Sequence, residues 1–242
     1  MNKLKVSTIL KCENLLGESC FWDPRYNCLV WTDIEAKKAW MLDDNNQSFV
    51  FNLPDRAGFI LPRKKEGFII GFPNFIAISD KNFSSFEKIC EVEITNNQTR
   101  INDAKVDPYG GIVFGTYNED PDKAKRKPIA NLYRLAPNLS LTHLLSNITV
   151  SNGIAFSENE NIMYFADTPT CRIQKFEYTK NFNKFYELEA NMIFKNVGEP
   201  DGATVDKDNN YWSARVRGTC NICIDTKDET IICLLYTSPS PR

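Results

Sequence analysis

The chain has 242 residues, of which 42% are hydrophobic and 25% charged, and its formal net charge is −2 at pH 7. A chain of this length and apolar content can bury a substantial core, and its dispersed, near-neutral charge leaves no footprint for nucleic acid or an anionic membrane. No stretch approaches the roughly 18 apolar residues that span a bilayer, and the apolar run of residues 1–10 is broken by Lys5, Ser7 and Thr8, unlike a cleaved signal, so a cytoplasmic protein is expected.

In chain order, residues 5–10 read as a strand with no hairpin partner in sequence. From there one pattern recurs: an apolar residue, a polar turn, then three short β-prone segments. The turn at Phe21-Trp22-Asp23-Pro24 leads to strands at 28–33, 39–42 and 49–51, and the turn at Leu61-Pro62-Arg63 to strands at 67–71, 75–78 and 87–90. Val106-Asp107-Pro108 is followed by strands at 112–115, 131–135 and 141–145, and Phe156-Ser157-Glu158 by strands at 162–167, 172–176 and 191–194. The last turn, Val205-Asp206-Lys207, leads to strands at 210–214, 221–224 and 230–233. Residues 236–242, Tyr-Thr-Ser-Pro-Ser-Pro-Arg, match no blade strand and read as a non-native tail to one domain of 1–235.

Turn positions 23, 63, 107, 157 and 206 lie 40, 44, 50 and 49 residues apart. The resulting period of roughly 46 residues is that of a four-stranded propeller blade. The expected fold is therefore an all-β propeller with five blades visible. A β-sandwich is the alternative, but it predicts no units of equal length.

The eight cysteines include the CxxC Cys220-Asn221-Ile222-Cys223. No second CxxC accompanies it and Cys233 lacks zinc-finger spacing, so these thiols read as reduced, small apolar strand residues. His143 is the only histidine and no GxSxG nucleophile elbow is present, which excludes a multi-histidine metal site and leaves a serine-hydrolase triad without support. Any metal must be held largely by oxygen. Five Asn-x-Ser/Thr sequons, at Asn46, Asn82, Asn97, Asn138 and Asn147, read as chance in an Asn-rich chain.

Five residues before each turn position stand Glu18, Gly58, Asn102, Asn152 and Asp201. Equivalent places in successive blades converge on the axis, because the innermost strands line the channel. The register thus predicts a ring of one Glu, one Asp and two Asn. Two carboxylates and neutral amide oxygens suit a hard divalent cation; the competing reading is that short polar residues simply cap strand ends.

Gly17-Glu18 ahead of Trp22-Asp23-Pro24, the run Arg100-Ile101-Asn102-Asp103-Ala104-Lys105-Val106-Asp107-Pro108, Ser151-Asn152-Gly153-Ile154-Ala155-Phe156-Ser157, and Pro200-Asp201-Gly202-Ala203-Thr204-Val205-Asp206 together resemble the regucalcin (senescence marker protein), gluconolactonase and luciferin-regenerating enzyme family. The resemblance runs from about Glu13 to about Asp225. It implies a six-bladed propeller, of which this chain carries about five blades plus an N-terminal closing strand and is truncated before the sixth. It also implies one axial divalent cation (Ca²⁺, Zn²⁺, Mg²⁺ or Mn²⁺) and hydrolysis of a small-molecule sugar lactone by a monomer without nucleic-acid or membrane partners. Carried over by motif, Glu18, Asn152 and Asp201 become the metal ligands, with Asp201 also the catalytic base, while Arg100 and Asn102 contact substrate.

Where the family often places a Glu after the Gly-Thr of the third blade, the chain has Gly115-Thr116-Tyr117-Asn118-Glu119-Asp120. Asp120 falls there by count, as a substrate-binding residue, with Glu119 beside it. The charged segment 121–128 reads as a loop over the channel mouth. Two other functions fit the same family: a calcium-binding regulatory protein without catalysis, and an organophosphate-hydrolysing propeller. A propeller that only binds proteins expects no axial carboxylates.

Overall fold

The computed structural model describes residues 6–157, 159–180 and 185–236. Among them, twenty strands form five four-stranded antiparallel sheets, each a meander in chain order. The first blade comprises β1 (Gly17–Asp23), β2 (Cys28–Asp33), β3 (Lys38–Asp43) and β4 (Ser48–Asn52); the second comprises β5 (Phe59–Pro62), β6 (Phe68–Phe72), β7 (Phe75–Ser79) and β8 (Phe86–Glu91). The third is β9 (Thr99–Val106), β10 (Ile112–Asn118), β11 (Ala130–Leu135) and β12 (Leu141–Ile148), and the fourth β13 (Ser151–Ser157), β14 (Ile162–Asp167), β15 (Arg172–Glu177) and β16 (Tyr186–Ile193). The fifth is β17 (Glu199–Val205), β18 (Tyr211–Val216), β19 (Cys220–Asp225) and β20 (Thr230–Tyr236). No helix among the described residues is long and apolar enough to cross a membrane.

The five-bladed propeller read from the period is thus present. The apolar core lies in four layers between successive blades. Because side chains alternate along a strand, the run Ile112-Val113-Phe114 sends Ile112 and Phe114 toward the second blade and Val113 toward the fourth,. Middle strands covered on both faces read as unbroken apolar runs rather than as alternation. Each fully buried Phe or Ile in these layers contributes about 1.5–3 kcal/mol. Between the third and fourth blades a buried polar group is satisfied internally: Arg134 Nε and the Tyr178 hydroxyl donate to Asp107 Oδ2 at 2.6 and 2.7 Å.

Three expectations are corrected. The closing strand expected at 5–10 is absent from residues 6–10, which lie outside any sheet, with Val6 and Ile9 largely exposed; a strand forms only where a neighbour completes its ladder. Lys5 lies outside the described residues. The outer strand expected at 191–194 is β16, which starts at Tyr186 and is mostly exposed, so its first half lacks the apolar signal that marks the other strands. Tyr236, read from the sequence as the first residue of the tail, pairs with Cys220 as the end of β20, and 237–242 lie outside the described residues.

Candidate functional site

The inner strands of four blades each carry a β-bulge: between Glu18 and Phe21 on β1, Ile101 and Ala104 on β9, Asn152 and Ala155 on β13, and Pro200 and Ala203 on β17. A bulge breaks the two-residue alternation and re-aims side chains. The polar members of the predicted ring lie at these bulges. The paired register of β5 with β6 is regular, and there the ring position is Gly58. A Cβ on Gly58 would lie 2.5 Å from the Ile101 carbonyl oxygen and 2.6 Å from that of Asn102, so β5 approaches the third-blade bulge too closely for a side chain.

In the first and fourth blades a carboxylate at the end of the second strand fixes the approach to the bulge. Asp33 accepts from the backbone N–H groups of Leu15 and Leu16 at 2.9 and 3.0 Å, two residues before Glu18. Asp167 accepts from those of Thr149 and Val150 at 3.1 and 2.8 Å, two residues before Asn152. In the fifth blade the equivalent place, paired with Pro200, holds Arg215. Its buried guanidinium instead donates to the carbonyls of Phe194 and Gly198 at 2.8 and 2.6 Å. These anchors escaped the sequence reading, although the identical spacing of 15 residues from Glu18 to Asp33 and from Asn152 to Asp167 is a legible signal.

The inner strands β1 and β17 face each other across a cleft of about 780 Å³. Glu18, Asp103, Lys105 and Asp201 line it together with Phe21, Trp22 and Trp212. Asn102 and Asn152 stand beside it, joined by a bond from Asn102 Nδ2 to Asn152 Oδ1 of 3.2 Å. Asn152 is buried, and its Nδ2 donates to Thr168 Oγ1 at 2.8 Å. Thr168 Oγ1 itself donates to the Pro200 carbonyl at 2.9 Å, next to Asp201. That chain fixes the orientation of the Asn152 amide, with its oxygen away from Thr168.

Asn102 is turned the other way. Its Oδ1 accepts from Arg100 Nη1 at 3.1 Å, while its Nδ2 donates to the Ser151 carbonyl at 3.0 Å. Arg100 is 3% exposed, lies over the Tyr117 ring, and bonds Glu119 through Nε at 3.2 Å. Glu119 also receives Arg56 in a two-pronged pair at 2.7 and 2.9 Å. Glu119 therefore supplies the carboxylate against Arg100. The Asp120 carboxylate accepts instead from the Asp122 backbone at 2.9 Å, in the loop that holds a 3₁₀ turn at Lys123–Lys125. Neither Arg100 nor Asp120 lines the cleft.

Asp103 and Lys105 are site residues that the register did not single out. Asp103 accepts from the Ile154 backbone at 3.3 Å, and burial first, then the nearby Asp201 charge, push its carboxyl up to about 6 against the opposing pull of Lys105. Burial lowers the Lys105 ammonium, which donates to the Ala203 carbonyl at 3.1 Å. The predicted ligands are all oxygen donors, two carboxylates that line the cleft and an oriented amide, and this chemistry fits a hard divalent cation. Among the described residues no three His, Cys, Asp or Glu side chains gather as a metal cluster, so a cation here needs the amide oxygen as well.

The other chemical candidates lie elsewhere. His143 bonds Asn131 and Ser146 on the outer strand β12. All eight cysteines are free thiols, and Cys220 and Cys223 are buried in β19.

Residues 16–235 match the family model described as SMP-30/Gluconolactonase/LRE-like region. The chain is similar to regucalcin of Danio rerio, 29% identical over 234 residues that span 93% of this chain and 76% of that one. It is similar also to L-arabinolactonase of Azospirillum brasilense, 30% identical over 208 residues, covering 85% and 68% of the two chains. Among solved structures it resembles luciferin-regenerating enzyme with a TM-score of 0.87 at 25% identity, over 93% of this chain and 77% of that one.

Proposed function

The chain belongs to the SMP-30/gluconolactonase/LRE-like family, and we propose that it hydrolyses sugar lactones with the help of one divalent cation in the axial cleft. The observation that carries this reading is the meeting of Glu18 and Asp201 on one cleft, beside an Asn152 amide that Thr168 orients. The likeness to L-arabinolactonase supports the substrate class.

In this reading Glu18, Asp201 and Asn152 Oδ1 hold the cation. When bound, such an ion supplies Lewis-acid polarisation of the lactone carbonyl. Asp201 takes a proton from the attacking water as the water oxygen bonds to the carbonyl carbon. The ring C–O bond then breaks and the proton passes to the ring oxygen, which leaves as the hydroxyl of the open hydroxy acid. Asn102 stands next to the lactone and braces the Asn152 ligand through its Nδ2, and Arg100 acts through Asn102, which it holds by Oδ1. Asp120, in the mouth loop, is the candidate contact for the sugar hydroxyls.

The test is a panel of sugar lactones assayed after chelation and after return of Mn²⁺, Mg²⁺, Zn²⁺ or Ca²⁺. Hydrolysis is expected to return with metal, and Glu18→Ala and Asp201→Ala to lower kcat/KM at least about 100-fold. Undiminished hydrolysis in both variants overturns the reading. Calcium binding without turnover of any lactone favours the regulatory alternative, toward which the likeness to regucalcin points.

A further inference from the structure

The CxxC of the fifth blade lies on β19, where alternation along the strand sends its two thiols to opposite faces,. Cys220 packs toward the fourth blade with Ile222 and Ile224. Cys223 leaves on the other face, the one it shares with Asn221, a lining residue of the axial cleft. Its partner across the ladder is Cys233 of β20, ten residues further along the chain. The pairing from Cys223–Cys233 to Cys220–Tyr236 is regular, and the irregularity of β20 falls beyond it, between Cys223 and Ile224. Cys233 therefore shares its face with Leu235, which is paired with Asn221 and also lines the cleft. The two thiols stand within electrostatic reach of each other: burial first, then Asp206 and the neighbouring Cys233, push the Cys223 thiol up to about 11.

Directly paired residues of antiparallel strands have Cα atoms about 4.5–5.5 Å apart, inside the span of about 4.4–6.8 Å that a disulfide bridges. Both residues are free thiols, Cys223 buried and Cys233 half-buried. Among the described residues β20 is the outer strand of its blade, bonded to β19 alone, and an outer strand has room for the small approach that an S–S bond needs. We propose that Cys223 and Cys233 are a redox-sensitive pair, which a low-molecular-weight disulfide oxidises to a cross-strand bond that fastens β20 to β19 on the cleft side of the fifth blade. Cys233, the more exposed of the two, loses its proton and attacks one sulfur of the oxidant, whose S–S bond breaks as one thiol leaves. Cys223 then loses its proton, bonds the Cys233 sulfur and displaces the second thiol. The chain gives up two electrons and two protons, and the oxidant takes up both. This inference does not depend on the metal reading.

The experiment equilibrates the folded chain with glutathione and glutathione disulfide, denatures it in N-ethylmaleimide to block every remaining thiol, and digests it with trypsin. Cleavage after Arg217 and Lys227 puts Cys223 on the peptide 218–227 and Cys233 on the peptide 228–242. The expected product is these two peptides joined, two hydrogens lighter than their sum, from protein that runs as a single chain on a non-reducing gel. Dithiothreitol releases them. Cys223→Ala and Cys233→Ala abolish the joined product and Cys220→Ala retains it; should a variant fail to fold, fragmentation of the joined peptides from the unaltered chain locates the bond at Cys223 or at Cys220. The oxidised chain is expected to unfold about 5 °C above the reduced one, the scale of a short loop closed by a disulfide. Recovery of both peptides only as maleimide or glutathione adducts, or a bond to Cys220, overturns the pairing. A Cys223–Cys233 bond that leaves the unfolding midpoint unchanged overturns the fastening of β20.

Discussion

Thr168 Oγ1 donates to the Pro200 carbonyl, so it can only accept from Asn152, and the Asn152 amide must present its oxygen elsewhere. Thr168→Val removes that acceptor and allows the amide to flip its nitrogen toward the cleft. The expected outcome is a fall of about 10–100-fold in Mn²⁺ affinity, the usual cost of losing a group that orients a ligand. Thr168→Ser keeps the hydroxyl and is expected to restore most of the loss; titration of both variants checks this. Asn152 itself was legible as a member of the blade register. Thr168 was not, because its role depends on the packing of β13 against β17 and on no local motif. Arg100 shows the same limit from the other side: its motif marks it as functional, while burial and bonds to Glu119 and Asn102 decide that it works through a neighbour.

At the scale of strands and turns, alternation and turn chemistry located most elements within a few residues, and β2 and β14 coincide with the expected bounds. The turns owe this legibility to short acidic side chains that bind the backbone of their own loop. Asp80, after β7, accepts from the backbone of Asn82 and Ser84 at 2.9 and 3.0 Å and from the hydroxyl of Ser85 at 2.8 Å. These donors, the Ser84 hydroxyl first among them, lower its carboxyl from the ordinary 3.8 to about 2. A carboxyl lowered on folding stabilises the fold above its unfolded value and loses that contribution as pH falls through the folded one. Asp80→Ala is therefore expected to lower the unfolding midpoint at pH 7 by about 2–4 °C, for hydrogen bonds of ordinary strength. The difference should shrink between pH 4 and pH 2, which thermal unfolding across that range measures. The bulges were not legible, since a bulge is defined by two residues facing one on a partner strand and leaves no mark of its own in a single sequence.

Across the whole molecule, the inner strands pack in succession, β1 on β5, β5 on β9, β9 on β13 and β13 on β17. Convergence on the axis and assembly of the site are therefore one event. Gly58 is where the approach is closest, with backbone oxygens of Ile101 and Asn102 occupying the space of any side chain. Gly58→Ala pushes β5 away from the bulge that carries Asn102 and Asp103. It is expected to cost about 1–3 kcal/mol in urea unfolding, as overpacking does, and to weaken Mn²⁺ binding in the same protein. A stability loss without change in binding would show that the site tolerates movement of β5.

The sequence by itself determined that the chain is all-β, that it is built of five repeating units, and that Glu18, Asn102, Asn152 and Asp201 occupy equivalent places in their units. These follow from the repeat, because units with the same strand order and the same turn chemistry place corresponding residues at corresponding points of each blade. Only the tertiary structure decided what each side chain faces. It left Gly58 without room for a side chain, turned the Asn102 oxygen to Arg100, and brought Lys105 to Ala203. The reason is that the Gly58 and Lys105 contacts join different strands, in the second case residues 98 apart, while the turn of Asn102 towards Arg100 is made at a bulge; bulges and packing between blades set all three, and no period along the chain encodes the direction in which a side chain leaves a bulge.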